Sequence, residues 1–251
     1  MSLTKNTTNQ QTRYLPLVQR ALSDNPLFAG CGEATRAALL HAAQVRVVGK
    51  GERVSTCGQA VECLYLVLSG SLEVSSLSAT GKRYVCWYLG PGQAYGWIPL
   101  IDRKGAIHDV RAHADSLLLE LPRQPFMAAA AADPALMEAI MLAFCERSRT
   151  IHEALAAGAL LNLGGRVADM LLRLLDSFGQ TDAVGAWIGL KLSQEEFADM
   201  LGVTRQSLNR ELKLLEADRV ISLAYSHIRV HDRAALQRLA RLELPDVSGR
   251  G

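Results

Sequence analysis

Two helix starts eleven residues apart, with a glycine between them, constrain this chain more than anything else in its sequence. Ser193 with Glu196 is a capping box: the hydroxyl accepts from an amide of the first helical turn, the carboxylate reaches back to the cap amide, and Leu192 can staple onto Phe197 across it. Thr204 is a second N-cap, with Val203 placed to staple onto Leu208. Gly202 supplies the tight, left-handed exit from the first helix. Two short helices joined by a glycine-containing turn make a helix-turn-helix, whose second helix enters the DNA major groove.

The second helix has the two faces that role needs. At 100° per residue, Leu208, Leu212 and Leu215 fall within about 60° of one another and form a buried stripe. Gln206, Asn209, Arg210 and Lys213 gather on the other side, and Arg205 stands at the exposed N-terminal edge. The set expected to meet DNA is Thr204, Arg205, Gln206, Ser207, Asn209, Arg210 and Lys213, which together have the donor chemistry for guanine, adenine and phosphate. Any amphipathic surface helix shares part of this pattern, so the residues that follow matter. Positions 220–230 read as a short hairpin and Asp232 opens a final helix, which makes the winged form of the motif.

Upstream, 251 residues with 49% hydrophobic and 21% charged side chains suffice for one large domain or two small ones and exclude general disorder. The 27 Lys plus Arg against 25 Asp plus Glu leave a net charge of +2, so a nucleic-acid site must be local. The first twenty residues lack the apolar core of a signal peptide, and no run approaches the roughly 18 apolar residues of a spanning helix. A cytoplasmic protein with no membrane partner is expected. Five cysteines, Cys31, Cys57, Cys63, Cys86 and Cys145, form neither a paired framework nor CxxC knuckles, and read as structural thiols. A redox or cluster role is the alternative, because Cys57 and Cys63 lie near each other.

Residues 1–22 are a polar entry segment, followed from Asn25-Pro26-Leu27-Phe28 through Ala43 by a short helical stretch. From about 44 to 122, glycines separate short runs such as Cys63 to Leu68 and Tyr84 to Leu89, the pattern of a small antiparallel barrel or sandwich. Asp133-Pro134 then starts a helix with proline just inside it. Met137, Phe144, Ile151 and Gly158 recur every seven residues, with Met141, Ser148, Leu155 and Asn162 four after each. That is an a/d seam along a helix of 134–162, about 43 Å long. It can pack on the chain's own barrel, but so long a helix would overhang it, which favours a two-fold partner and a homodimer. The paired glycines of Leu163-Gly164-Gly165-Arg166 look like a hinge before a second domain.

The order of these features resembles the CRP/FNR superfamily of bacterial transcription regulators from about Asn25 to Leu239. The likeness is carried by Leu64-Tyr65, Gly70-Ser71-Leu72-Glu73-Val74, Gly81-Lys82, Leu89-Gly90-Pro91-Gly92 and Gly96, then by Arg166-Val167-Ala168, Leu171-Leu172 and the helix-turn-helix. The resemblance implies an α+β chain: an N-terminal antiparallel, jelly-roll-like β-barrel of the cyclic-nucleotide-binding type, a long dimerisation helix and a C-terminal winged helix-turn-helix. The segments would be 1–22, 23–133, 134–163 and 164–251. It also implies a homodimer on a palindromic site in double-stranded DNA, contact with RNA polymerase, and control by a small-molecule effector in the barrel. Arg205 and Arg210 fall at the family's base-reading arginines, and Gln206 stands where the cyclic-AMP receptor protein has glutamate.

The residues through which the family holds cyclic AMP are missing. Ala106 and Ile107 occupy the arginine and serine positions, Gly96 is followed by Trp97 instead of glutamate, and Ile151-His152 replaces the adenine-contacting Thr-Ser pair. Arg83, Arg103 or His108 would have to substitute from a neighbouring loop. Tyr84, Trp87, Tyr88, Tyr95 and Trp97 are five of fourteen aromatics within fourteen residues. They are either core packing or the wall of a pocket for a flat effector, formed by Trp87, Tyr95, Gly96, Trp97, His108, Arg111, Ile151 and His152; an empty pocket is the third reading. No cofactor is identified. An iron-sulfur sensor is disfavoured because no cysteine precedes Cys31, whereas His41, His108, His113 and Cys86 leave a haem ligand open. A metal-dependent cupin-like enzyme would need histidines one residue apart on a strand, and His108 and His113 are five apart, so no catalysis is expected.

Overall fold

The computed structural model describes residues 3–81, 83–224 and 227–241, with side chains from residue 13 onward. Lys82 of the Gly81-Lys82 motif, Tyr225 and Ser226 of the expected hairpin and residues 242–251 lie outside the described residues. The chain divides into two compact units, Met1–Arg147 and Ser148–Gly251.

The first unit opens with α1 (Leu3–Asp24) where a polar entry segment was expected. Tyr14, Val18, Ala21 and Leu22 explain the difference: spaced three or four apart, they form one apolar stripe in an otherwise polar helix, and Val18 and Leu22 are buried. After α2 (Pro26–Ala29), capped by the Asn25 side chain, and α3 (Glu33–Ala42) come β1 (Gln44–Val48), β2 (Arg53–Ser55), β3 (Cys63–Ser69), β4 (Leu72–Leu77), β5 (Arg83–Leu89) and β6 (Ala94–Tyr95). Then follow α4 (Trp97–Asp102), β7 (Asp109–Ala112), β8 (Ser116–Pro122), α5 (Arg123–Ala132) and α6 (Pro134–Leu160).

The strands form two antiparallel four-stranded sheets, β1-β8-β3-β6 and β2-β7-β4-β5, an open sandwich rather than a closed barrel. Alternation along β8 shows why both faces of the first sheet are apolar. Leu118 joins Val48, Val67, Leu72, Val74 and Val110 in a core between the sheets. Leu117, Leu119 and Leu121 point the other way, into a core with Phe28, Leu39, Phe126, Leu136 and Ile140 from the helices.

On α6, Met137, Met141, Ile151 and Leu155 of the expected seam are exposed, together with Leu142 and Leu160. Phe144 departs from the seam and packs against the helix-side core, edge-on to Trp97 at 6.3 Å. Asn162 departs too. The helix stops at Leu160 because the Asn162 side chain accepts from the Gly165 amide and so caps the next helix, α7 (Leu163–Phe178). The expected hinge glycines therefore lie inside α7. A Cβ on Gly165 would stand 2.8 Å from the Leu239 carbonyl, so close backbone approach accounts for it.

The second unit continues with β9 (Gly179–Asp182), β10 (Gly185–Ile188), α8 (Gln194–Leu201), α9 (Arg205–Ala217), β11 (Ile221–Ala224), β12 (His227–Val230) and α10 (Arg233–Leu239). Its strands order as β11-β12-β10-β9, all antiparallel. The wing hairpin is thus the edge of a sheet whose other half, β9 and β10, the sequence reading did not contain. α7 packs on α9 and α10. Among the described residues no single helix is long and apolar enough to cross a membrane.

Candidate nucleic-acid interface and effector pocket

Local hydrogen bonds hold the helix-turn-helix as its sequence requires. Ser193 Oγ accepts from the Glu196 amide at 3.1 Å, while Glu196 Oε2 accepts from the Ser193 amide at 2.8 Å. Gly202 takes the left-handed conformation at φ 65°, and Thr204 Oγ1 accepts from the Ser207 amide at 3.2 Å. Arg166 donates to the Leu201 carbonyl, satisfying an acceptor at the end of α8.

On α9, Leu208, Leu212 and Leu215 are buried, as their spacing dictates. Thr204, Arg205, Gln206, Arg210 and Lys213 are exposed, and Ser207 and Asn209 half-buried. All seven candidate DNA residues thus sit on one helix and its cap, although the Thr204 and Ser207 hydroxyls also bond each other at 2.9 Å. Gln194, absent from that set, meets Arg205: its Oε1 accepts from Arg205 Nε at 3.3 Å. The wing is tied to β9 by Arg229, which donates to both Asp182 oxygens at 2.7 and 2.8 Å. That bond, with help from the Val184 and Gly185 amides, holds the Asp182 carboxyl well below the usual carboxylate range.

The candidate effector residues of the first unit do not all converge. Trp87 is half-buried against the core between the sheets, where Tyr95 is buried with its hydroxyl donating to Ser55 Oγ at 3.2 Å. Gly96 has φ 105° and would put a Cβ 2.8 Å from the Cys63 carbonyl, so the backbone demands glycine there. Trp97 turns into the opposite, helix-side core, with its ring 6.1 Å from Phe126. Arg111 is exposed on β7 opposite Glu73, and its neighbours Val110 and Ala112 take the inward positions. Ile151 and His152 are exposed on the part of α6 that belongs to the second unit. Of the other aromatics, Tyr88 is fully buried beside His113 and Tyr84 is exposed. Arg83 is committed to the buried Glu73, and Arg103 stands exposed just past α4.

What does gather is a polar cluster seen only in part from the sequence. His108 Nδ1 lies 2.9 Å from Ser76 Oγ and 3.7 Å from Cys86 Sγ, and those two atoms are 3.7 Å apart. Burial first, then the charge of Arg147 on α6, pull the His108 pKa below its ordinary value, against Asp109. Burial pushes the Cys86 thiol up, opposed by the Ser76 hydrogen bond and Arg147. The cluster is thus a neutral imidazole, a hydroxyl and a protonated thiol with a cation nearby. The hairpin register, which pairs Ser76 with Tyr84, was the available clue to the meeting of Ser76 and Cys86. Among the described residues no group of three His, Cys, Asp or Glu side chains is placed to hold a metal ion.

Residues 45–133 match the cyclic nucleotide-binding domain and residues 165–239 the Crp-like helix-turn-helix domain. The nitrogen fixation regulation protein FixK of Azorhizobium caulinodans is 33% identical over 186 residues, spanning 72% of this chain and 73% of its own. A CRP-like cAMP-activated global transcriptional regulator of Mycobacterium tuberculosis is 24% identical over 215 residues, 86% of this chain and 96% of that one. Among solved structures, FixK2 from Bradyrhizobium japonicum has the same fold, with a TM-score of 0.72 at 20% identity over 80% of this chain and 99% of that one.

Proposed function

This chain belongs to the CRP/FNR family of DNA-binding transcription regulators, and from that premise we propose that it binds palindromic promoter sites as a homodimer, under an effector other than cyclic AMP. Its relatives are regulators, not enzymes. The observation that carries the reading is the α9 face, where Arg205, Gln206, Arg210 and Lys213 stand exposed over the buried leucines.

In this reading Arg205 and Arg210 each offer a fork to guanine O6 and N7, Gln206 suits adenine N6 and N7, and Thr204, Ser207, Asn209 and Lys213 hold the backbone. Replacing either arginine with alanine should cost about 1 to 3 kcal/mol at one position of each half-site, measured by titration against single-base variants. A uniform loss across sequences would make that arginine a phosphate contact instead. The exposed Met137, Met141, Ile151 and Leu155 on α6 support the homodimer, since a monomer would leave them in water. Light scattering should give twice 27.3 kDa, and half-sites should lie about 34 Å apart. RNA polymerase is the protein partner this role requires, and the cytoplasm its place.

Against cyclic AMP stand the positions that would hold its phosphate and ribose: Ala106 is buried, Ile107 is exposed and apolar, and Trp97 belongs to the helix-side core. Each missing charge-assisted bond is worth about 1.5 to 3 kcal/mol, a tenfold or greater loss of affinity. The effector chemistry available is that of Ser76, Cys86 and His108, with Arg147 as the cation. Calorimetry with cyclic AMP, followed by thermal-shift screening of small aromatic acids, tests this. Micromolar cyclic-AMP binding would reject it, whichever side chains hold the nucleotide.

A further inference from the structure

The Arg205 guanidinium is held from the side. Its Nε donates to Oε1 of Gln194 at 3.3 Å, and the two residues are the first of α9 and the first of α8. The capping box fixes the turn that carries Gln194, and the Thr204 cap fixes the turn that carries Arg205. The two helix starts that define the motif are therefore joined by a side-chain bond between their first residues. We propose that Gln194 is a positioning residue for base readout: it sets the plane of the Arg205 guanidinium and leaves the two Nη groups as the fork presented to a guanine. This rests on the reading of Arg205 as a base contact.

The chemistry of the pair fits that division of labour. A guanidinium has five N–H donors in a planar fork, and a guanine edge takes two of them. With Nε occupied, one hydrogen on each Nη still points off the end of the side chain, and those two make the remaining fork. Only the carboxamide oxygen of glutamine can accept, so the bond also orients Gln194 and leaves its amide group as a donor. An unheld arginine carries large rotamer freedom that binding must remove, and an arginine ordered before DNA arrives loses less. Glutamine does this without charge. A glutamate would hold the guanidinium more firmly but bring a negative group towards the phosphates.

The test uses the full chain and a duplex with two inverted half-sites, selected from a randomised library by the wild-type protein. Fluorescence anisotropy at one fixed salt concentration then compares Gln194→Met, Gln194→Glu, Arg205→Ala and the double variant Gln194→Met/Arg205→Ala on every single-base change. Methionine keeps the length and helix propensity of glutamine and removes the acceptor. Circular dichroism checks that each variant is folded. Gln194→Met should lose about three- to tenfold in discrimination at the base pair that Arg205→Ala also relaxes, with no change elsewhere. It should add nothing in the Arg205→Ala background. Gln194→Glu should keep the discrimination while weakening every sequence alike. A uniform loss from Gln194→Met that persists without Arg205 would make Gln194 a phosphate contact in its own right and overturn the proposal. If Arg205→Ala itself weakens all sequences equally, the base-reading role falls, and the positioning role with it.

Discussion

The seven candidate DNA residues of α9 and its cap lie within ten consecutive positions, 204–213, whereas the polar cluster of the sandwich draws Ser76, Cys86, His108 and Arg147 from two strands, a loop and a helix spread over 72 positions. In the first case a cap, a stripe of leucines and a helical period place every side chain, and each of those rules reaches no further than four residues. In the second case, strand register within the β2-β7-β4-β5 sheet and the course of α6 do the placing. A helix-turn-helix can thus be specified by local rules, while a cluster of this kind is a property of the finished sandwich.

This contrast predicts unequal costs for unequal kinds of damage. Phe126→Ala removes a fully buried ring that joins helices to the first sheet, and should lower stability by about 3 to 5 kcal/mol in denaturant titration. Leu212→Ala, in the local stripe of α9, should cost about 2 to 5 kcal/mol. Thr204→Ala removes a cap, and in the proposed reading a DNA-backbone contact as well; it should cost about 1 kcal/mol of stability and also weaken DNA binding. A larger stability loss from the cap than from Phe126 would break the contrast.

Two smaller effects sharpen it on the sandwich side. The His108 pKa is lowered on folding, so between the folded value and the unfolded value of about 6.5 the unfolded chain binds the extra proton. The stability associated with neutral His108 is complete above about pH 6.5 and declines as pH falls towards the folded value. Unfolding midpoints taken from about pH 8 down to pH 5 should show that decline, and His108→Asn should flatten it. Thiol reactivity should divide the cysteines in the same spirit. Cys57 and Cys145 are exposed, whereas burial raises Cys31 and pushes Cys63 up to about 11, so mass spectrometry after mild alkylation should find the first pair modified before the second.

The sequence was most legible where one residue carried one message. Ser193, Gly202 and Thr204 each announce a helix boundary and each marks one. Asn162 fits the heptad by spacing and the N-cap by chemistry, and the cap prevails because an unsatisfied helix amide costs more than a polar gap in a seam. Phe144 likewise fits the seam, but Trp97 and the helix-side core offer it burial within its own unit. Helix α1 was hidden by composition, since Tyr14, Val18 and Leu22 are outnumbered by polar neighbours. Strand β9 is exposed along all four residues and so lacks the apolar alternation that marks a strand. Arg111 could have been turned outward from the alternation of Val110 and Ala112 alone, whereas no local rule sends Trp97 to one core and Trp87 to the other.

Gly165 gives the second unit an adjustment point outside the helix-turn-helix. With 2.8 Å between the site of its missing Cβ and the Leu239 carbonyl, it acts as a spacer of no thickness between α7 and α10. Any side chain there would be a wedge. Because only His231 and Asp232 separate β12 from α10, a wedge driven in at residue 165 would bear on a helix tied closely to the wing. The angle at which that hairpin stands beside the reading helix is thus open to tuning by a substitution that touches neither the hairpin nor α9.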